Sequence, residues 1–252
     1  MVSARKAHKD PLGVFMKDIE KEFTGERLDV SNYIVARLDG RGFSKFTKGM
    51  ARPYDARLTK TMRDVTEALM LEFGPHLGYT QSDEISLAWM PHIPPAQFMF
   101  DGKIQKLTSV LAGFCSSAFV MKFIENFGCV PTKVPHFDCR IMDMSAQEAS
   151  DMFKWRRLDA RKNAVQMVAQ SYFSHKKLQG ANQETSIRML KEEGIIFDEF
   201  PEYFRLGTTM TRETDMVELS EVQLLNIPYG HRPEGPVPRT VIKKSSEMLT
   251  TA

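Results

Sequence analysis

Between residues 32 and 142, the spacing of the apolar residues changes in a fixed succession, and this succession restricts the fold more than any other feature. Ile34, Ala36 and Leu38 alternate with polar residues, as in a half-buried strand. Apolar residues then recur every three or four positions from Leu58 to Phe73, which predicts a helix. The full succession is a strand at 32–39, a helix ending at 73, strands at 77–81 and 85–90, a helix at about 103–127, and a strand at 137–142.

The order strand, helix, strand, strand, helix, strand predicts an α+β fold. It is the order of a ferredoxin-like, palm-type domain (βαββαβ), an antiparallel sheet with helices on one face, which polymerase palms and nucleotide cyclases share. In this topology, the first strand ends at the same sheet edge as the hairpin between the second and third strands. Asp39 ends the first strand, and Ser82-Asp83-Glu84 occupies the hairpin. The two acidic motifs are therefore expected to converge.

Three regions are predicted along the chain. Residues 1–143 form a palm-like domain, and residues 144–228 form an α-rich C-terminal extension. The extension opens with the capping-box pattern Ser145-Ala-Gln-Glu148, and a further helix is predicted at 183–193. Residues 229–252 contain several prolines and little apolar periodicity, so a loosely attached, flexible tail is predicted there.

Composition narrows the cellular setting. The 252 residues are 42% hydrophobic and 26% charged, which suits a chain with a sizeable core. The three cysteines lack a CxxC pair, which indicates free thiols in a reducing compartment and therefore a cytoplasmic location. The polar N-terminus and the lack of about 18 uninterrupted apolar residues argue against secretion and membrane insertion. The net charge of +2 is a slight basic excess. It would suit a polyanionic partner, but it does not establish nucleic-acid binding.

The two acidic motifs carry the candidate chemistry. In Arg37-Leu-Asp-Gly-Arg-Gly-Phe43, a carboxylate at a strand end precedes two glycines whose backbone can approach a phosphate or a metal. Taken alone, this segment is more simply interpreted as a strand followed by a solvated turn, because Asp-Gly is common in turns. Together with Gln81-Ser-Asp-Glu84, however, Asp39 and Asp83 provide hard oxygen ligands for two Mg²⁺ ions in phosphoryl transfer. The cations expected to flank a bound triphosphate are Arg41, Arg52, Lys103 and Lys106.

The motifs also resemble a known family. The segments Arg37-Leu-Asp-Gly-Arg, Arg52-Pro-Tyr-Asp55, Gln81-Ser-Asp-Glu84 and Trp155-Arg156 occur in the order found in tRNA(His) guanylyltransferases, with Asp159, Asn163 and Leu178-Gln-Gly180 adding to the match. The resemblance spans roughly residues 32–210. It implies a 3′-to-5′ nucleotidyltransferase that activates the 5′ end of tRNA with ATP or GTP. The 3′-hydroxyl of an incoming nucleotide then attacks the activated 5′ end and displaces the activating nucleotide, and pyrophosphate is removed in a separate step.

The resemblance also assigns roles to residues. It implies that Asp39, Asp83 and Glu84 are catalytic, and that Asp39, Asp83 and the Gly40 carbonyl bind metal. The residues expected to contact the nucleotide are Arg37, Gly40, Arg41, Gly42, Phe43, Arg52, Asp55, Ser82, Lys103 and Lys106. For tRNA, the expected contacts are Arg156, Arg157, Arg161, Lys162 and Asn163, although each basic residue fits an ordinary solvated helix face equally well. A homotetramer, built as a dimer of dimers with tRNA crossing subunits, is also implied.

Two positions depart from the eukaryotic members of the family. Arg161-Lys-Asn-Ala164 stands where those members carry His-Ile-Asn-Asn, so Asn163 alone remains of the amide pair, and Ser44 stands where they tend to carry histidine. The first run is associated with strict use of tRNA(His). Its change favours the guanylyltransferase-like branch, which resembles a template-directed polymerase that repairs 5′ ends. Addition of G to tRNA(His) and 5′-end repair both stay open.

Other functions are also compatible with parts of the sequence. A nucleotide cyclase places metal-binding acids at similar sheet positions, but the Gly-Gly-Asp-Glu-Phe type of hairpin is absent. A non-catalytic RNA-binding module would leave both acidic motifs unexplained. A zinc site at Cys129, His136 and Cys139 lacks a fourth ligand, and its spacing matches no common structural site.

Overall fold

The computed structural model describes residues 10–91 and 98–245. The helices and strands, in chain order, are α1 (Pro11–Thr24), β1 (Tyr33–Gly40), α2 (Phe43–Phe46), α3 (Ala56–Phe73), β2 (Leu77–Gln81), β3 (Glu84–Trp89), α4 (Ile104–Phe127), β4 (Phe137–Met144), α5 (Ala146–Tyr172), α6 (Gln183–Glu192), α7 (Glu202–Leu206), β5 (Thr208–Val217), α8 (Glu221–Leu225) and β6 (Val237–Ser245). The segments predicted between residues 32 and 142 are all present, with ends shifted by at most two residues where bounds were predicted.

The described strands form one six-stranded sheet in the order β4-β1-β3-β2-β5-β6. Each neighbouring pair is antiparallel. The structure confirms that the fold mixes helices with an antiparallel sheet, as the predicted α+β class requires. Because β3 lies between β1 and β2, those two strands run in the same direction and end at the same edge, as predicted.

Helices α3 and α4 cover one face of the sheet. The alternating residues Ile34, Ala36 and Leu38 are fully buried beneath them, together with Ile85 and Leu87 of β3. This face forms the larger core of the described protein because the strand alternation and the helix stripes point toward each other.

Helix α4 is apolar over much of its circumference, which makes its buried side hard to predict. Leu107, Leu111 and Ala118 are buried as expected, but Met121 is 62% exposed, and Phe119 and Phe123 are buried instead. Within the described residues, α4 is the one helix whose length and mean hydropathy of 1.6 would also suit a membrane span, a test that core helices also pass. Here α4 packs against α3 and the sheet.

The opposite face of the sheet is covered by α5. Val35, Tyr79 and Ala88 on that face pack against Ala149 and Phe153 of this helix. The predicted capping box is present, because the Ser145 hydroxyl accepts from the Glu148 N–H and the Glu148 carboxylate accepts from the Ser145 N–H. The second half of α5 forms a separate small core with α6 and the segment after it. The extension is thus anchored to the sheet by α5.

The prediction of a flexible tail from residue 229 is wrong for residues 237–245. This segment forms β6, which pairs with β5 from Thr209 to Val217. The Lys244 ammonium group also contacts the Glu67 carboxylate of α3, and Lys243 binds Glu213 at 2.6 Å. Backbone hydrogen bonds and charged pairs hold this strand. Because these interactions need no regularly spaced apolar residues, the strand produces no apolar periodicity in the sequence. Residues 246–252 of the predicted tail lie outside the described residues.

Strand β5 and helix α1 were also not predicted. Strand β5 extends the sheet beyond β2 and lies within the region predicted to be α-rich. Helix α1 is capped by Asp10, and none of its side chains is buried.

Candidate active site

The two acidic motifs meet at one edge of the sheet, as predicted. Asp39 of β1 lies directly opposite Glu84 of β3 in the strand register. The Gly40 N–H donates a hydrogen bond of 3.0 Å to the backbone carbonyl of Asp83. Ser82, with φ of 50°, turns the chain between β2 and β3, and its hydroxyl donates to the Asp83 carboxylate at 3.0 Å. The hairpin turn therefore holds Asp83 beside the end of β1.

The electrostatics of this edge favour a bound cation. Burial raises the pKa of the Asp83 carboxyl above its usual value, and the nearby Asp39 carboxylate raises that pKa further. Like charges in a half-buried site are stabilised by a divalent ion. The described residues contain no cluster of three His, Cys, Asp or Glu side chains arranged to hold a metal. The oxygen groups that meet at this edge are the Asp39 and Asp83 carboxylates and nearby backbone carbonyls, which are of the hard class that Mg²⁺ prefers in proteins.

Gly40 is required by the packing at this edge. A Cβ atom on Gly40 would lie 2.4 Å from the ring of Phe43, which is closer than real contacts allow. The Phe43 side chain is buried and contacts the rings of Phe46, Phe119 and Phe137. The Phe43 ring therefore belongs to the core, where it fixes the loop that begins at Gly40.

A cavity of about 490 Å³ opens beside the carboxylates, and we call it the edge cavity. It lies between the sheet edge, the start of α3, and helices α5 and α7 of the extension. Among the predicted nucleotide contacts, those that line it are Gly40, Gly42, Phe43, Arg52, Asp55 and Ser82. The metal candidate Asp83 and the predicted tRNA contact Asn163 also line it. A volume of this size suits a nucleotide-sized ligand.

One wall of the edge cavity is formed by aromatic side chains, none of which was predicted as a site residue. The Tyr54 ring stacks on Phe204 with 4.4 Å between centroids, and Tyr203 meets Tyr54 edge to face. Tyr203 and Phe204 belong to the five-residue helix α7, which is too short to produce a periodic signal in the sequence.

Asp55 lines the cavity, but its carboxylate already has protein partners. It caps α3 and accepts two hydrogen bonds from the Arg57 guanidinium group, at 3.0 and 2.7 Å. These bonds, opposed in part by burial, lower the pKa of Asp55 to about 2. The Asp55 side chain is 4% exposed, whereas the Arg57 side chain is 56% exposed, so the carboxylate is shielded from solvent and its cation is not. Asp55 therefore fixes the start of α3 at the wall of the edge cavity.

Replacement of Asp55 by Ala is expected to lower the free energy of unfolding by about 1–2 kcal/mol at pH 7, because the helix cap and the Arg57 pair are lost. The folded-state pKa of Asp55 lies below its ordinary value of 3.8, so this stabilisation is complete above about pH 4 and is lost as pH falls through about 2. Urea unfolding at pH 7 and pH 3 measures the difference. Asp55→Asn, which keeps a capping oxygen, is the control; an Ala effect that does not change with pH would contradict this account.

The prediction that Lys103 and Lys106 flank the triphosphate is wrong. The chain leaves β3 at the edge opposite the carboxylates, and α4 begins there. Lys106 lies over the ring of Phe100 at that end, and both lysines line a separate surface cavity with Phe98 and Asp101. A helix of this length spans about 36 Å. Its last residue, Phe127, contacts Arg57 near the edge cavity, so α4 carries the two lysines away from it.

Arg156 is not part of an exposed tRNA surface. Its side chain is 6% exposed, and its guanidinium group binds the Glu84 carboxylate at 2.7 Å, which corrects the prediction. Burial raises the pKa of Glu84 and the Arg156 charge lowers it, with a net rise. The helix crosses the sheet at this point, so the side of α5 that carries Arg156 faces inward.

The other basic residues of α5 are divided among different surroundings. Arg157 lies 3.7 Å from Glu202, the Arg161 guanidinium group lies over the ring of Phe197, and Lys162 is exposed. Asn163 faces the edge cavity and donates to Asp159 at 3.3 Å, and its predicted contact with tRNA stays a prediction. The predicted basic surface on α5 thus reduces to Lys162 with partial contributions from Arg157 and Arg161.

The two remaining predicted nucleotide contacts lie outside the cavity lining. Arg41 is exposed next to the carboxylate edge. Arg37 lies on the sheet face beneath α5, where its guanidinium carbon is 5.7 Å from the centre of the Trp155 ring. Arg41 is therefore free to approach a ligand at the edge, whereas Arg37 is held under the helix.

Comparison with known proteins identifies the chain. The family model described as tRNAHis guanylyltransferase matches residues 14–145, which include both acidic motifs. This protein belongs to that family. Among curated relatives of the guanylyltransferase family, the tRNA(His) guanylyltransferase of Schizosaccharomyces pombe is 28% identical over 203 residues, covering 75% of this chain and 76% of the relative. The family is one of nucleotidyltransferases, so the enzyme class predicted from the motifs is confirmed.

Solved structures agree with the family assignment. A bacterial tRNA(His) guanylyltransferase-like protein in complex with ATP superposes with a TM-score of 0.75 and 30% identity, covering 79% of this chain and 88% of that one. A structure of a bacterial tRNA(His) guanylyltransferase-like protein in complex with GTP has a TM-score of 0.71 at 24% identity, covering 95% of this chain and 93% of that one. The second match shows that the fold is shared over nearly the whole length of the chain.

Proposed function

We propose that this protein adds nucleotides to the 5′ end of tRNA in the 3′-to-5′ direction, after activation of that end with ATP or GTP. The observation that carries the proposal is the convergence of Asp39 and Asp83 at one sheet edge, where Asp83 and Gly40 line the 490 Å³ edge cavity. Family membership and the nucleotides in two related bacterial structures support it. The strand order β4-β1-β3-β2 supports a palm-type, ferredoxin-like description of the catalytic part, residues 1–143.

Asp39, Asp83 and the Gly40 carbonyl are the groups that would hold two Mg²⁺ ions. When bound, the ions would neutralise the developing charge on the phosphates and activate the attacking oxygen. The like charges of the two carboxylates and the raised pKa of Asp83 are consistent with this donor set. Glu84 stands behind the pair, opposite Asp39 in the sheet.

The chain's own residues would supply binding and orientation around the phosphates. Arg52 lines the edge cavity and Arg41 lies exposed beside it, so both can approach the triphosphate as cations. The Tyr54, Tyr203 and Phe204 wall offers an apolar surface for a nucleobase. The Ser82 hydroxyl fixes the Asp83 carboxylate by a hydrogen bond, so that carboxylate is oriented before any ligand binds.

The remaining assignments also belong to the proposal. The partner is tRNA, and Lys162, Arg157 and Arg161 on α5 of the extension (144–228) are its candidate contacts. A homotetramer remains a prediction from the family resemblance. A cytoplasmic location fits the three cysteines, which all lie among the described residues and form no disulfide.

The choice between identity-element addition and repair depends on the run at Arg161-Lys-Asn-Ala164, and we propose repair. With the purified protein, Mg²⁺ and ATP, labelled GTP should enter a tRNA that lacks its first 5′ nucleotide at least about tenfold faster than intact 5′-monophosphorylated tRNA(His), a difference of about 1.4 kcal/mol in transition-state stabilisation. Faster labelling of intact tRNA(His) would show that the activity is addition of G to that tRNA and not repair. Extension of neither tRNA would overturn the proposed function.

A further inference from the structure

Arg156 connects the extension to the acidic hairpin through a shielded ion pair. Its Nη1 atom lies 2.7 Å from Glu84 Oε2, and the two side chains are 6% and 8% exposed. The same guanidinium group lies 3.4 Å from Asp159 Oδ2 and stacks 3.6 Å from the centre of the Trp155 ring. One planar group thus holds two carboxylates, one on β3 and one on α5.

The first branch of this arrangement leads to the carboxylates at the sheet edge. Glu84 is covalently next to Asp83 and lies opposite Asp39 in the register. The turn that carries Asp83 contains Ser82 in a left-handed conformation, and Glu84 is the first residue of the strand that follows this turn. Holding Glu84 therefore restricts where Asp83 can lie.

The second branch leads to the edge cavity. Asp159 Oδ2, held by Arg156, accepts a hydrogen bond of 3.3 Å from Asn163 Nδ2. Asn163 lies one turn further along α5 and lines the edge cavity together with Asp83. The amide of Asn163 is thereby oriented by the same guanidinium group that restrains the hairpin.

We propose that Arg156 is a positioning residue that aligns the Asp83 carboxylate and the Asn163 amide on opposite sides of the edge cavity. The inference rests on the proposed function, because this alignment affects catalysis only if the cavity holds the nucleotide and its metal ions. It predicts that arginine is required at this position. A lysine retains the charge but lacks the planar fork needed to hold Glu84 and Asp159 together.

A purely structural role would have a different signature. A buried ion pair that only satisfies desolvated charges would be maintained by lysine, and any loss of activity would follow the unfolded fraction. A positioning role changes the folded protein's affinity for metal and its turnover. Groups that orient metal ligands typically alter affinity or activity by about 10- to 100-fold when they are replaced.

The test uses the full-length chain with Arg156→Lys, Asp159→Ala and the control Arg205→Lys. Arg205 is a matched arginine, because it is 20% exposed and binds the Asp198 carboxylate at 3.0 Å and the Phe200 carbonyl at 2.7 Å, away from Glu84. Thermal unfolding, Mn²⁺ binding followed by electron paramagnetic resonance, and kcat and KM for GTP are measured on each protein.

We expect Arg156→Lys to remain folded, to bind Mn²⁺ about 10- to 100-fold more weakly and to lose kcat by a similar factor, with KM for GTP changed less than about threefold. Asp159→Ala should lower kcat but leave Mn²⁺ binding near that of the wild type. Arg205→Lys should resemble the wild type in kcat and in Mn²⁺ binding. Mn²⁺ binding by Arg156→Lys equal to that of the wild type would overturn the inference. If the wild type binds Mn²⁺ but transfers no nucleotide, the proposed function fails separately.

Discussion

Replacement of Asp83 by Asn is expected to lower nucleotide transfer to tRNA by at least about 10³-fold, while the protein stays folded. In the proposed site, the neutral amide of Asn would hold Mg²⁺ more weakly than the carboxylate does, and the bound ions would supply several kcal/mol of stabilisation to the phosphates in the transition state. A loss of about 4 kcal/mol corresponds to about 10³-fold in rate. Single-turnover transfer of labelled GTP, with the Mg²⁺ concentration varied, measures the loss.

The same substitution should not destabilise the folded state in the absence of metal. Burial and the Asp39 charge both disfavour the ionised Asp83, so a neutral side chain removes an unfavourable interaction at pH 7. We expect the thermal midpoint of Asp83→Asn in EDTA to equal or exceed that of the wild type. Asp143→Asn, at an exposed carboxylate on the far end of β4, is the control and should change neither property. A large fall in the midpoint of Asp83→Asn would contradict the site description.

Replacement of Arg156 by Met is expected to lower the free energy of unfolding by about 3–5 kcal/mol. The substitution leaves the Glu84 carboxylate buried without its cation, and an uncompensated buried charge is costly. Its other oxygen, Oε1, is buried and accepts no hydrogen bond from the residues described, so few local groups can take over. Urea unfolding at pH 7 measures the change.

A double substitution separates charge from packing at this pair. Arg156→Met combined with Glu84→Leu removes both charges and keeps similar volumes, so most of the lost stability should return although activity does not. If the double variant is no more stable than Arg156→Met, then loss of packing against the Trp155 ring would explain the effect instead.

The sheet shows which parts of the fold follow from the sequence. Strand β1 and helix α3 have one buried side, so their apolar residues recur at the strand or helix period, and the capping box at Ser145 marks the start of α5. Strand β6 has no such signal because its residues are half-buried or exposed and are held by hydrogen bonds to β5. The tail was therefore predicted to be loose, whereas pairing with a distant partner orders it.

The site shows a similar division. Asp39 and Asp83 could be placed together because chain order and strand direction fix which ends share an edge. Lys103 could not, because its position depends on where α4 begins relative to β3. Arg156 and Lys162 look alike in the sequence, yet one is buried against Glu84 and the other is exposed. To predict which way a side chain points on a helix that crosses a sheet, one must know how the helix packs on that sheet.

The most direct test of the proposed chemistry is the position of the label after reaction of a 5′-truncated tRNA with α-labelled GTP, ATP and Mg²⁺. We predict that the wild type places the label at the 5′ end of the tRNA, as shown by nuclease digestion, and that folded Asp39→Asn protein adds none. Absence of label with the wild type, or equal labelling by Asp39→Asn, would contradict the assignment of this edge as the site of nucleotide transfer.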